Sequence, residues 1–281
     1  MLGRRPDGYH ELESLFVPLD LADEIALEVS KAGSFELDFS VKGAVAGVPE
    51  DDTNLASRAA RRFAREAGLS FRVCVRLCKR IPTGAGLGGG SSDAGAVLRA
   101  FSQLFPGALD PSALAELALE LGADVPFFLD PQPALVRGIG ERIEPVRGVR
   151  SLAVVLAGPG TPLATADVYR AFDALGPSTA PAAGGSIPAG LASKVAGWEL
   201  PSLDQLELEN DLEPAAIRLC PSVAGLRERL VAVGARASGM SGTGPTVFGL
   251  FDSRPEAAKA LAQLGIRAPG WARVAVTVES R

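Results

Sequence analysis

The run Pro82-Thr83-Gly84-Ala85-Gly86-Leu87-Gly88-Gly89-Gly90-Ser91-Ser92-Asp93 constrains this chain more than any other stretch, because of what stands on either side of it. Before it, Phe71, Val73, Val75 and Leu77 alternate with Arg72, Cys74, Arg76 and Cys78, the period-2 pattern of a strand with one covered face. After it, Ala94, Val97, Leu98, Phe101, Leu104 and Phe105 recur at offsets of three and four, which predicts a helix from near Ser92 that ends before Pro106. A flexible linker does not sit so tightly between core elements. Glycines leave backbone N–H groups uncovered and permit positive φ, and the following helix turns its unpaired N–H groups and positive dipole end toward the loop. Phosphate is the expected occupant.

Two common phosphate loops are excluded. Gly84-x-Gly86-x-x-Gly89 has the dinucleotide spacing, but no second strand ending in an acidic residue follows the helix, as a Rossmann unit requires. No Lys-Ser or Lys-Thr follows the glycines, so the loop is not a Walker A loop.

The surrounding pattern mixes strands and helices. Alternating stretches at 24–29 and 35–39 precede a helix from about Asn54 to Ala67, on which Arg58, Arg61, Arg62 and Arg65 form a stripe expected to be a solvated outer face. A helix capped by Asp110, with Pro111 at its first position, carries Leu114, Leu117, Ala118 and Leu121 on one face and stops at Gly122. The pattern restarts with an apolar strand at 152–156, so a domain boundary is expected near residue 150, dividing the chain into 1–150 and 151–281. In the second part, a Pro-, Ala- and Gly-rich stretch at 176–190 reads as a surface loop. Helices at 213–219 and 223–233 follow, then a short strand, a glycine loop at 239–245, a strand at 246–251, a helix from Pro255 and a last strand at 274–278. Interleaved elements without internal repeat make this an α+β protein.

Composition narrows the function. With 28 basic and 33 acidic residues, the formal charge of −5 offers no global attraction for nucleic acid. No apolar block is long enough to span a bilayer, and no apolar stretch follows the basic residues near the N-terminus, so neither a membrane nor a secretory route is expected and the location read is the cytoplasm. Three cysteines are an odd count, and Cys74 and Cys78 lie too far apart along one strand to bridge; all three are read as reduced. His10 is the single histidine, so a hydrolase triad or His-based metal site would have to use it, and neither has a partner nearby; no protein metal ligands are predicted. Asp124 sits between a helix end and Val125-Pro126-Phe127-Phe128, where an unpaired carboxylate is costly, so a charged partner or a catalytic purpose is expected, the alternative being a turn cap before Pro126.

Residues 82–92 resemble the ATP-binding loop of the GHMP small-molecule kinases. The full glycine run is similar to one branch, which phosphorylates 4-diphosphocytidyl-2-C-methyl-D-erythritol in the non-mevalonate isoprenoid route. Four other segments agree with that branch in order: residues 3–12 (Gly-Arg-Arg-Pro-Asp-Gly-Tyr-His-Glu-Leu), 122–128 (Gly-Ala-Asp-Val-Pro-Phe-Phe), 210–214 (Asn-Asp-Leu-Glu-Pro) and 240–244 (Met-Ser-Gly-Thr-Gly). The resemblance implies a two-domain fold, an N-terminal half like domain 2 of ribosomal protein S5 and a ferredoxin-like C-terminal half. It also implies ATP and Mg²⁺ as cofactors, a small cytidine-diphosphate substrate whose 2-hydroxyl is phosphorylated, and a monomer or weak homodimer.

By the same resemblance, Asp124 is the general base, and Pro82, Thr83, Gly84, Ala85, Gly86, Leu87, Gly88, Gly89, Gly90, Ser91 and Ser92 hold the triphosphate. Ser91 or Ser92 also caps the following helix. Asn54 and Lys79 match positions around the adenine and ribose; Lys79 is either a nucleotide contact or an exposed strand-end lysine with no function. His10 reads the cytosine edge while Tyr9 stacks on the base. Thr165 and Tyr169 match the segment that supplies the opposing aromatic, although Ala164 and Ala166 stand where relatives carry proline. Gly242, Thr243 and Gly244 resemble a third motif that closes on the phosphates from the second domain.

One departure matters. In the family, a lysine-bearing strand precedes the segment matching residues 3–12, and its lysine pairs with the catalytic aspartate. Here Met1-Leu2 stand directly before that segment, so the polypeptide is expected to begin upstream, and without that strand a lost cation and an exposed sheet edge are expected. A nucleotide-binding pseudokinase, or a GHMP kinase for another small alcohol, are the alternative readings; Tyr9-His10 argues against the latter.

Overall fold

The computed structural model describes residues 1–45, 47–149, 151–176 and 208–279. The first half opens with β1 (Gly3–Arg4), β2 (His10–Phe16), β3 (Glu24–Lys31) and β4 (Glu36–Gly43), followed by α1 (Leu55–Glu66), β5 (Phe71–Lys79), α2 (Gly89–Leu104) and α3 (Pro111–Leu121). A 3-10 turn at Pro126–Leu129 and the strands β6 (Ala134–Gly138) and β7 (Arg142–Pro145) complete it. The second half contains β8 (Ala153–Gly158), α4 (Thr165–Leu175), α5 (Glu213–Leu219), α6 (Ser222–Ala232), β9 (Ala237–Met240), β10 (Val247–Phe251), α7 (Arg254–Leu264) and β11 (Trp271–Val276).

Three sheets result. β3-β5-β4 has β3 antiparallel and β4 parallel to β5, the parallel pair being joined through α1. β1-β2-β6-β7 is antiparallel throughout. In the second half the order is β11-β8-β10-β9 with every neighbouring pair antiparallel, the expected ferredoxin-like arrangement.

β5 shows why the glycine loop sits where it does. Its alternation holds over nine residues, so Phe71, Val73, Val75, Leu77 and Lys79 all point inward. Phe71, Val73 and Val75 meet one face of α1 (Ala56, Ala59, Ala60, Phe63, Ala64) and the Ala94, Val97, Leu98 and Phe101 face of α2. Phe71 and Phe63 both meet Phe101 edge-on, with centroids 5.4 Å apart, which locks strand and helices around the loop between them. Arg58, Arg61 and Arg65 of the α1 stripe face outward as expected, with Arg61 pairing Asp52 at 2.6 Å, whereas Arg62 is half-buried and pairs with Glu120 of α3. The three cysteines are free.

A second core lies under the β8 sheet, built from Val155, Ala157, Val168, Ala215, Ala216, Val223, Leu230, Val247 and Phe251. The halves are stitched along the chain ends: Val276 N–H donates to Asp20 Oδ1 at 2.7 Å, Asp20 N–H to the Val276 carbonyl and Val278 N–H to the Pro18 carbonyl. Leu19, Leu21 and Leu87 pack on the second half's outer cluster. The Pro-, Ala- and Gly-rich stretch lies outside the described residues from position 177 onward. Among the described residues, no helix is long and apolar enough to cross a membrane.

Candidate active site

The glycine loop is pulled into shape from the second half. Leu163 N–H donates to the Gly84 carbonyl at 3.3 Å, Thr246 N–H to the Ala85 carbonyl at 3.3 Å and Ser241 Oγ to the Gly86 carbonyl at 2.8 Å. Three successive carbonyls are thereby engaged, while the N–H groups of Gly86, Leu87 and Gly88 donate to nothing among the described residues. An anion is the partner such donors lack.

Gly86 is required here. Its φ is +71°, and a Cβ would lie 2.5 Å from the Ser241 carbonyl oxygen and 2.7 Å from that of Gly244. We expect Gly86→Ala to destabilise the fold by about 1–3 kcal/mol and to raise the KM for ATP, read from thermal melts and initial rates. Unchanged melting would show that the loop is not clasped in this way.

α2 begins at Gly89, three residues ahead of Ser92, and its N-cap is Gly88 in the left-handed conformation with no side-chain cap. This corrects the expectation that Ser91 or Ser92 caps the helix; both lie inside the first turn, and Ser92 Oγ donates back to the Gly89 carbonyl at 2.9 Å. The physical reason is that a glycine cap leaves the first-turn N–H groups uncovered, whereas a serine cap would consume one.

Two predicted nucleotide contacts have their polar groups engaged within the protein. Asn54 is the N-cap of α1: its Oδ1 accepts Ala56 N–H at 2.9 Å, and its Nδ2 donates to the Pro49 carbonyl at 2.8 Å. Lys79, far from being exposed, is 3% accessible and lies between Asp23 at 2.5 Å and Asp93 at 2.7 Å. Strand parity explains this, since Lys79 continues the inward set of β5. Asp23 also accepts Arg80 N–H at 2.5 Å and Ile81 N–H at 2.9 Å, whereas Lys79 is the one hydrogen-bond donor recorded for the Asp93 carboxylate among the described residues. Burial pushes Asp93 up to about 7, with Lys79 opposing and Asp23 adding to the rise. The triad pins β5 to α2 beneath Gly89, where an added Cβ would lie 3.2 Å from Lys79 Nζ.

Asp124 lies in the turn between α3 and the 3-10 segment, two residues before Pro126. Phe128 of that segment presses on the loop and helix: a Cβ on Gly88 would lie 3.2 Å from its ring, and one on Gly95 2.5 Å from its Cβ. Arg99 donates to the Phe128 carbonyl. Desolvation raises the pKa of Asp124, and its carboxylate has no hydrogen bond or ion pair among the described residues. The same charge is felt at Tyr169, whose phenol burial and Asp124 together shift upward.

Tyr169 is stacked on His10, centroids 5.0 Å apart and planes 21° from parallel. His10 Nε2 is 2.7 Å from Asp173 Oδ1. Tyr9, 58% exposed, has no ring partner among the described residues. Thr165 Oγ1 is 3.4 Å from Thr243 Oγ1, joining α4 to the third motif. Gly242 and Gly244 flank that threonine, and Asn210 Nδ2 holds the turn through the Met240 and Gly242 carbonyls at 3.0 and 2.8 Å. Sequence reasoning singled out neither Asp23 nor Asp173 and assigned Asp93 no role; the four-residue spacing from Tyr169 to Asp173 on α4 is the signal that places both on one face.

Comparison with known proteins agrees with this geometry. Residues 54–130 match the GHMP kinase N-terminal domain and 199–269 the GHMP kinase C-terminal domain. The 4-diphosphocytidyl-2-C-methyl-D-erythritol kinase of Citrifermentans bemidjiense is 41% identical over 276 residues, covering 98% of this chain and 93% of that protein. A crystal structure of 4-(cytidine 5'-diphospho)-2C-methyl-D-erythritol kinase is 39% identical, with a TM-score of 0.78 over 98% of this chain and 93% of that one. Homoserine kinase from Cytophaga hutchinsonii, 19% identical with a TM-score of 0.70 over 96% of this chain and 95% of its own, shares the fold. The chain belongs to the GHMP kinases, within the family of the 4-diphosphocytidyl-2-C-methyl-D-erythritol kinases.

Proposed function

We propose that this protein transfers the γ-phosphoryl group of ATP to the 2-hydroxyl of 4-diphosphocytidyl-2-C-methyl-D-erythritol, in the cytoplasm and as a monomer or weak homodimer. The observation that carries the reading is the position of Asp124. An unpaired, desolvated carboxylate lies on a segment packed against the glycine loop, and its charge reaches Tyr169, which is stacked on His10.

ATP supplies the phosphoryl group when bound. The free N–H groups of Gly86, Leu87 and Gly88, with the first turn of α2, offset the charge of its phosphates. Residues 82–92 form the wall against which those phosphates lie, and Gly242, Thr243 and Gly244 close it from the second half. Among the described residues no cluster of three His, Cys, Asp or Glu side chains can hold a metal ion. Mg²⁺ would therefore be held mainly by the phosphates themselves, with a hydroxyl from Ser91 or Ser92.

Asp124 takes the proton from the substrate hydroxyl as its oxygen bonds to the γ-phosphorus and the bond to the β-phosphate oxygen breaks. Its elevated pKa makes it a stronger base than an ordinary aspartate. At the other end, Tyr9 offers a free ring face to the base, and His10 presents an imidazole edge to it.

A coupled assay for ADP release tests the reading. ADP should appear only when ATP and the cytidylated alcohol are both present, and homoserine or a free sugar should not replace that alcohol. ATP binding without transfer to the cytidylated alcohol would overturn it.

A further inference from the structure

His10 is held on two sides by one face of α4. Tyr169 stacks on the ring, Phe172 meets it edge-on at 6.0 Å, and Asp173 receives Nε2 at 2.7 Å; the three lie at positions i, i+3 and i+4 of the helix. Arg4 approaches the other oxygen of Asp173 at 3.4 Å. The imidazole is 10% exposed, and Nδ1 makes no hydrogen bond among the described residues.

A carboxylate only accepts hydrogen bonds, so the ring nitrogen facing it carries the hydrogen. In the neutral ring Nδ1 is then left as an acceptor. The distinction has a chemical consequence, because a cytosine presents a 4-amino donor where a uracil presents a 4-oxo acceptor. An acceptor at Nδ1 pairs with the first and opposes the second.

We infer that Asp173 is the positioning residue that sets base specificity: it fixes His10 as the Nε2–H tautomer, so that Nδ1 accepts from a 4-amino pyrimidine nucleotide and turns away a 4-oxo one. This rests on the proposed reading in which His10 faces the base of the substrate.

Asp173→Asn tests it, since an amide is able to accept from Nε2–H or donate to a bare Nε2 and no longer dictates the tautomer. The wild-type protein, assayed in mildly alkaline buffer, should prefer the cytidine-diphosphate substrate over its uridine counterpart by about 10–100-fold in kcat/KM, the scale of one well-placed polar contact. In Asp173→Asn that ratio should fall to within a few-fold of unity, the change lying in KM rather than kcat. A readout independent of activity is available because His10 is the only histidine in the chain. Long-range ¹H–¹⁵N correlation spectra of untagged, labelled protein contain one imidazole, which should report Nε2–H in the wild type and a mixture of tautomers in Asp173→Asn.

A wild-type spectrum showing Nδ1–H, or an Asp173→Asn variant that keeps both tautomer and base preference, overturns the inference and leaves the base-binding reading standing. If His10→Ala leaves the KM of the cytidine substrate untouched, the base-binding reading fails as well.

Discussion

Asp124→Asn should lower kcat by about 10²–10⁴-fold while raising the melting temperature by roughly 2–4 °C, the shift that about 1 kcal/mol produces in a chain of this size. Both effects have one cause. The carboxylate is desolvated and has no partner among the described residues, so its folded-state pKa lies above the ordinary value of 3.8. A group with a raised carboxylate pKa binds more protons in the folded state than in the unfolded one, so its contribution to stability falls as pH rises through that window. Above that window the wild type carries the whole penalty, and the asparagine variant carries none. The gap in melting temperature should therefore shrink as the pH is taken down toward 4. A variant that keeps activity within tenfold of the wild type, or that melts below it, would remove Asp124 from the role of base.

Lys79→Met should destabilise the protein by about 3–5 kcal/mol, the cost of stripping the cation from a buried ion cluster. Side-chain exposures of 4%, 2% and 4% for Lys79, Asp23 and Asp93 leave the two carboxylates no route to water. The ammonium is also what holds the base of the glycine loop, so the loss should be accompanied by weaker ATP binding. Adding Asp93→Asn to Lys79→Met should restore more than half of the lost stability, because Asp23 retains the Arg80 and Ile81 N–H donors. Asp93→Asn alone should be mild near neutrality, where a group pushed up to about 7 is already half protonated in the folded state. Urea melts of the three variants at pH 7 distinguish the outcomes; a Lys79→Met protein as stable as the wild type would show that the triad carries no charge balance.

Much of the framework was legible in the chain, and the parts that were not have physical reasons. β5 and α2 were readable because each buries one face against a partner, so periodicity survives in the residue order. The start of α2 lies earlier than its apolar pattern shows because Gly89 and Gly90 carry no side chain to register a helical period, and its N-cap, Gly88, makes no side-chain cap. β1, β2, β6 and β7 left little signal: β1 is two residues long, and the seven residues of β2 are all half-buried, with no clean alternation. The burial of Lys79 is hard to read from the chain because its charge argues against its parity, and the partners that make burial tolerable, Asp23 and Asp93, lie 56 and 14 residues away. The stacking of His10 on Tyr169 crosses from one half to the other, and no local pattern encodes it.

The tethering of three loop carbonyls to the second half has one more implication. Within a trans peptide the C=O and N–H bonds point in opposite directions. Drawing the oxygens of Ala85 and Gly86 toward Thr246 and Ser241 therefore swings the hydrogens of Gly86 and Leu87 to the far side, all with the same polarity. The loop's glycines permit that orientation but do not choose it. The choice is made by Ser241 and Thr246, more than 150 positions downstream, so the orientation of those donors can be lost by damage to the second half with the loop's own sequence intact.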